Sequence, residues 1–238
     1  MNQGTIEGHI NAGCVVFMSA ACSEQQKKDV MDCTLYTQLA ASKRHSRFDA
    51  AVDWRHTWLA ALNRFGWAVR SHDSRSLPAA ETGQGTVWDW LEKQLPSFMP
   101  NALFSQGAAF ARGAVEARPD QPAVAMLNRQ AIEIASSEGP ASGVSERKIA
   151  LQVAVCGPTT GLGLVVLSFT TRQPPNGELL AEVFDPKKVL GNIEMAFYSA
   201  HVMEIVYAQF REKIAQALDD RRADGVCALQ EARDVQSQ

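Results

Sequence analysis

The sequence predicts an α+β domain: an antiparallel β-meander of about four strands within residues 131–184, packed with N-terminal helices and a long C-terminal helix. Three observations carry that expectation. Arg147–Arg172 (RKIALQVAVCGPTTGLGLVVLSFTTR) has two apolar arms around a Gly/Pro/Thr turn. The connections between the strands are too short for crossover helices, which favours antiparallel neighbours. Helical periodicity flanks the region on both sides, near 23–65 and near 200–218.

In the first arm, Ile149, Leu151, Val153 and Val155 alternate with Ala150, Gln152, Ala154 and Cys156. A period of two puts the branched side chains on one face of a strand and the small or polar ones on the other. Gly157, Pro158, Thr159, Thr160 and Gly161 supply a turn. The second arm is apolar at consecutive positions, Leu164, Val165, Val166 and Leu167, the pattern of a strand covered on both faces. Leu179–Phe184 is expected as a third strand, after the turn signal Pro174-Pro175-Asn176-Gly177, and Ala131–Ser136 as a fourth.

Residues 1–22 are expected to be an N-terminal segment, polar and loosely ordered over 1–10, with a short strand over Ala12–Ala20. Ser23 followed by Gln26 is a capping-box pattern that opens a helix to about Ser42. A second helix, about Ala50–Phe65, places Trp54, Trp58, Leu62 and Phe65 on one face and ends at Gly66. Trp67, Val69 and Ser71 begin a short strand, and His72–Gly85, rich in Ser, Asp, Gly and Pro, is expected as an exposed loop. Thr86 caps a short helix through Gln94. Asn101–Ala117 is an Ala-rich helix, and Ala123–Arg129 one or two helical turns. From about Ala200 to Leu218, Val202, Ile205, Val206, Phe210 and Ile214 form an apolar stripe expected to lie on the sheet. Residues 23–218 are thus expected to form one domain, with 219–238 a short helix and tail.

Composition narrows the function classes. Of 238 residues, 23 are Lys or Arg and 26 Asp or Glu, a net charge of −3. No basic excess is present to neutralise phosphates, which speaks against nucleic acid as a partner. No apolar run approaches the roughly 20 residues of a membrane-spanning helix. Cys14–Cys22 is apolar but follows Glu7 with no Lys or Arg before it, unlike a cleaved signal. The five cysteines are odd in number and show no C-x-x-C spacing. Free thiols in a reducing compartment follow, so a cytoplasmic location is expected, with secretion by a signal-peptide-independent route as the other option.

Candidate chemistry is sparse. Cys22 directly precedes a helix, and His56 or His72 would be the base for a cysteine nucleophile, but no nucleophile-elbow motif accompanies them. His201 and Glu204, at i and i+3 of the expected C-terminal helix, would supply two ligands to a metal, with no second pair in the chain. Gly157, Gly161 and Gly163 follow a strand, yet a second strand comes next where a phosphate loop needs a helix. Trp54, Trp58, Trp88 and Trp90 are candidate walls of a ligand pocket, although core filling explains them as well. Lys43-Arg44-His45-Ser46-Arg47 is a basic connector expected to be solvated.

The expected function is therefore non-catalytic: a bacterial-type protein that binds a protein partner or a small apolar ligand, without a cofactor. An alternative is a membrane-active or secreted virulence effector, in which hairpin 148–171, the Trp cluster and the Ala-rich helix rearrange in peripheral contact with a bilayer. A third is an enzyme with a Cys/His site scattered in sequence.

Overall fold

The computed structural model describes residues 5–135, 145–159 and 161–231. The chain opens with a hairpin of β1 (Ile6–Asn11) and β2 (Cys14–Ser19), then α1 (Glu24–Ser42), α2 (Ala51–Arg64) and β3 (Trp67–Pro78). Four helices follow: α3 (Ala79–Thr82), α4 (Val87–Glu92), α5 (Asn101–Ala117) and α6 (Pro122–Ala131). Next come β4 (Ile132–Ala135), β5 (Glu146–Gly157), β6 (Gly161–Thr171) and β7 (Val189–Val202), then α7 (Glu204–Ala217), α8 (Arg222–Gly225) and β8 (Val226–Leu229).

All eight strands join one mixed sheet of order β3-β7-β6-β5-β2-β1-β8, with β4 pairing the N-terminal part of β5. Every pairing is antiparallel except β2 with β5. This overturns the expected four-strand meander: the sheet is larger and recruits strands from both ends of the chain. Residues Ile132–Ala135 do pair as a strand, while Ser136 lies outside the described residues. Leu179–Phe184 is not a strand. Its apolar residues plug the core from a connecting segment: Leu179, Leu180 and Phe184 are fully buried, and the Trp88 indole donates to the Leu180 carbonyl at 2.8 Å. The true neighbour of β6 is β7, where Met195, Phe197 and Tyr198 alternate across the sheet.

Two cores lie on opposite faces. Ile149, Leu151, Val153 and Val155 of β5 share one with Val165, Leu167 and Phe169 of β6 and with α4, α5 and α6. Ala154, Cys156, Leu162 and Leu164 face the other, under α1, α2 and α7. The consecutive apolar run of β6 is thus covered on both sides, as its pattern requires. The close approach of α5 depends on Ala108, Ala111 and Ala114, all fully buried, and on Gly107, where a Cβ would collide with the Phe17 ring.

Local signals set several ends. The Ser23 hydroxyl accepts the Gln26 amide at 3.2 Å, but Gln26 does not close the capping box. Its side chain donates instead to the Gly157 carbonyl at 3.1 Å, tying the start of α1 to the end of β5. Thr86 and Asp89 do form a reciprocal box at α4. Gly66 sits at φ +85°, in the left-handed region expected after α2.

Four further segments depart from the sequence reading. Residues 72–78 are strand rather than loop, because β3 is the sheet edge and alternates exposed and half-buried side chains. Polar residues suit an edge strand, which resists pairing with other chains. Residues 6–10 are strand, and Val226–Leu229 pairs with β1. At the C-terminal helix, strand β7 runs to Val202, so α7 starts at Glu204 and its buried face is shifted. Ile205 is 84% exposed, whereas Tyr207, Ile214 and Leu218 are buried.

Candidate functional site

The structure separates most of the candidate residues. Cys22 is buried just before α1, and its thiol donates to the Cys156 carbonyl at 3.4 Å. Burial pushes its pKa up, outweighing nearby hydrogen bonds and the Lys27 charge. Among the described residues no hydrogen bond joins Cys22 to a histidine. His56 is exposed on α2 and His72 exposed on β3. His201 lies in β7 rather than on a helix, exposed, and Glu204 accepts from Arg211 at 2.6 Å. Among the described residues, no three His, Cys, Asp or Glu side chains gather in a metal-binding arrangement.

The four tryptophans divide between the cores. Trp54 and Trp58 stack at 6.1 Å beneath α2, whereas Trp88 and Trp90 lie on the opposite face of the sheet. All four are buried. Trp54 borders a small cavity with Gln152, Val166 and Ser168.

The basic connector is not uniformly solvated. Arg47 turns inward, donates to Gln38 Oε1 at 2.9 Å and to the Gln130 carbonyl at 3.2 Å, and lies 4.7 Å from the centre of the Trp54 ring. Burial pulls its pKa down to about 10. Arg44 stays outside. Gly157 pairs with Gly161 at the end of the β5–β6 hairpin, with Gly161 at φ +71°.

Two features have the scale of a functional site. The first is the unit β5–β6–β7. Its strands have 12, 11 and 14 residues, are antiparallel neighbours, and follow one another with no α-helix between them. Both faces of its middle are apolar and covered by helices from outside residues 146–202.

The second is a groove of about 720 Å³ between α1, α2 and α7. Its floor is aromatic: Phe65 packs edge-on against Tyr36 at 5.2 Å and against Phe210 at 5.3 Å. Its rim holds Arg44, Arg64 and Lys213, all exposed, and no carboxylate lines it. None of these three cations forms an ion pair among the described residues. The sequence reading missed this groove. A signal did exist, since Tyr36 and Ala40 of α1 and Arg44 just beyond its end repeat at i, i+4 and i+8, as His56, Ala60 and Arg64 do on α2. Small residues between an aromatic or polar end and a cation leave room for a trough.

No helix among the described residues is long and apolar enough to cross a membrane. No protein-family model matches the chain, and no characterised protein matches it by sequence. Three solved structures are similar in outline. The activated Cyt2Ba monomer from Bacillus thuringiensis subsp. israelensis is 12% identical with a TM-score of 0.44, over 81% of this chain and 98% of that one. A delta-endotoxin is 11% identical with a TM-score of 0.43, over 81% of each chain. The Evf virulence factor is 9% identical with a TM-score of 0.28, over 98% of this chain and 86% of that one. At these scores the likenesses leave the function to be read from the molecule itself.

Proposed function

We propose that the protein is a non-catalytic, membrane-active protein, and that β5–β6–β7 is the part that enters the bilayer once its helical coats separate. The observation that carries this reading is the contiguity of residues 146–202: three long antiparallel neighbours with no α-helix threaded between them. A transmembrane β-strand needs about 9–11 residues, and each of the three reaches that length. The covering helices α1, α2, α4, α5 and α6 all precede the unit and α7 follows it, so they can swing away without unthreading. Water favours the closed form, because opening exposes both apolar faces; an acyl environment removes that cost.

Departure of β2, β3 and β4 together with the helices leaves two open strand edges, on β5 and on β7, whose backbone groups need partners in a bilayer. Association of several such units supplies them, so the bilayer form is expected to be oligomeric.

Release of carboxyfluorescein from vesicles of phosphatidylcholine and phosphatidylglycerol tests the reading. Dye release that rises with protein concentration, with protein floating with the vesicles, supports it. Vesicles that stay sealed at excess protein overturn it.

A further inference from the structure

The groove between α1, α2 and α7 has a chemistry that the bilayer reading does not use. Its volume, about 720 Å³, lies within the ordinary range of small-molecule pockets, about 300–1,000 Å³. The aromatic floor of Tyr36, Phe65 and Phe210 offers apolar surface, and Ala40, Ala60 and Ala61 keep the trough clear. The charge at the rim is one-sided. Acidic residues outnumber Lys and Arg by 26 to 23 in the whole chain, yet the lining carries Arg44, Arg64 and Lys213 with no carboxylate.

Several cations elsewhere in the described structure find carboxylates, although others, such as Arg55, Arg70 and Lys187, do not. Lys27 reaches Glu7 and Glu24, Arg211 reaches Asp29 and Glu204, and Arg222 reaches Asp32. The three rim cations instead surround an apolar depression, and grouping like charges there costs stability unless an anion neutralises them. A neutral apolar ligand would need none of them. An extended polyanion would need a longer basic surface than this short trough.

We propose that this groove binds one anionic amphiphile, its apolar body on Tyr36, Phe65 and Phe210 and its carboxylate or phosphate head among Arg44, Arg64 and Lys213. Arginine suits either head because its fork donates two parallel hydrogen bonds. The inference goes beyond the bilayer reading and stands without it, since a monomeric amphiphile requires no membrane.

Isothermal titration with the whole protein tests it, using dodecanoate, dodecyl phosphate and dodecyltrimethylammonium, each below its micelle-forming concentration, and inorganic phosphate. Saturation by one anionic amphiphile per chain is expected, with the cationic amphiphile at least tenfold weaker and inorganic phosphate not saturating. Tighter binding of dodecanoate assigns a fatty-acid-type ligand, and tighter binding of dodecyl phosphate a phospholipid-type head. The double variant Arg64→Gln/Lys213→Gln should weaken the anionic amphiphile at least tenfold with an unchanged thermal transition. Ala60→Trp, at an exposed position, should block the trough and abolish both. Equal binding of the cationic and anionic amphiphiles, absence of saturable anion binding, or an unchanged Kd in the double variant would each overturn the proposal.

Discussion

Arg147 of β5 and Glu182, in the segment leading to β7, are locked head to head inside the protein. Two guanidinium nitrogens donate to the two carboxylate oxygens, each at 2.8 Å, and both side chains are buried. Gln173 joins them, donating to Glu182 Oε1 at 3.2 Å and to the Val183 carbonyl at 2.9 Å. The cluster fastens the β6–β7 connection to the start of β5. Removing one partner strands the other charge in the interior, so Glu182→Ala should cost about 3–5 kcal/mol. The paired change Arg147→Met/Glu182→Leu should cost much less. Urea unfolding of the three proteins measures both; equal losses would place the energy elsewhere.

Val165 of β6 is 1% exposed among helix-facing side chains, so Val165→Asp should prevent cooperative folding, because an unpaired buried charge costs several kcal/mol. Trp88→Ala should cost about 3–5 kcal/mol, losing ring packing against Phe17 and Phe104 and the bond to Leu180. Thermal unfolding checks both. Near-native transitions would contradict the position of these residues at the centre of the core.

Stability should fall on mild acidification through His9. Burial holds its imidazole pKa below the ordinary 6.5, and its Nδ1 is buried without a partner. The unfolded chain therefore takes up the proton first. The stabilisation is fully present above about pH 6.5 and is lost as pH falls through that value toward the lower folded pKa. Urea midpoints at pH 7.5 and 5 should differ less in His9→Phe than in the parent protein. The same difference in both would remove His9 as the cause.

The thiols should divide sharply. Burial pushes Cys14, Cys22 and Cys33 upward and Cys156 up to about 12, whereas Cys227 is only half-buried. One thiol per native chain should react promptly with a thiol reagent at pH 8, and five after denaturation without reductant. Three after denaturation would mean a disulfide.

Much of this architecture was legible where the signal is local. The Ser23 cap, the Trp54–Trp58–Leu62 face and the Ala-rich run of α5 mark helices within a few residues of their ends. The period-two pattern of β5 and its glycine turn mark the central hairpin. Edge strands were only partly legible: the start of β3 at Trp67–Ser71 was, but its continuation buries too little for an apolar pattern, and β8 pairs only through β1 at the far end of the chain. The segment Leu179–Phe184 imitates a strand because a core plug and a strand need the same apolar residues. The groove escaped notice because Arg44 follows α1 while Arg64 and Lys213 lie on α2 and α7, and the three converge only on folding.

Amide hydrogen exchange with and without phosphatidylcholine/phosphatidylglycerol vesicles tests the opening of the helical coats most directly. In water, α1, α2, α5 and the unit β5–β6–β7 should be protected together. With vesicles, α1, α2 and α5 should exchange faster while residues 146–157, 161–171 and 189–202 remain protected. An exchange pattern unchanged by vesicles that bind the protein, with both coats as protected as in water, would contradict the proposed function.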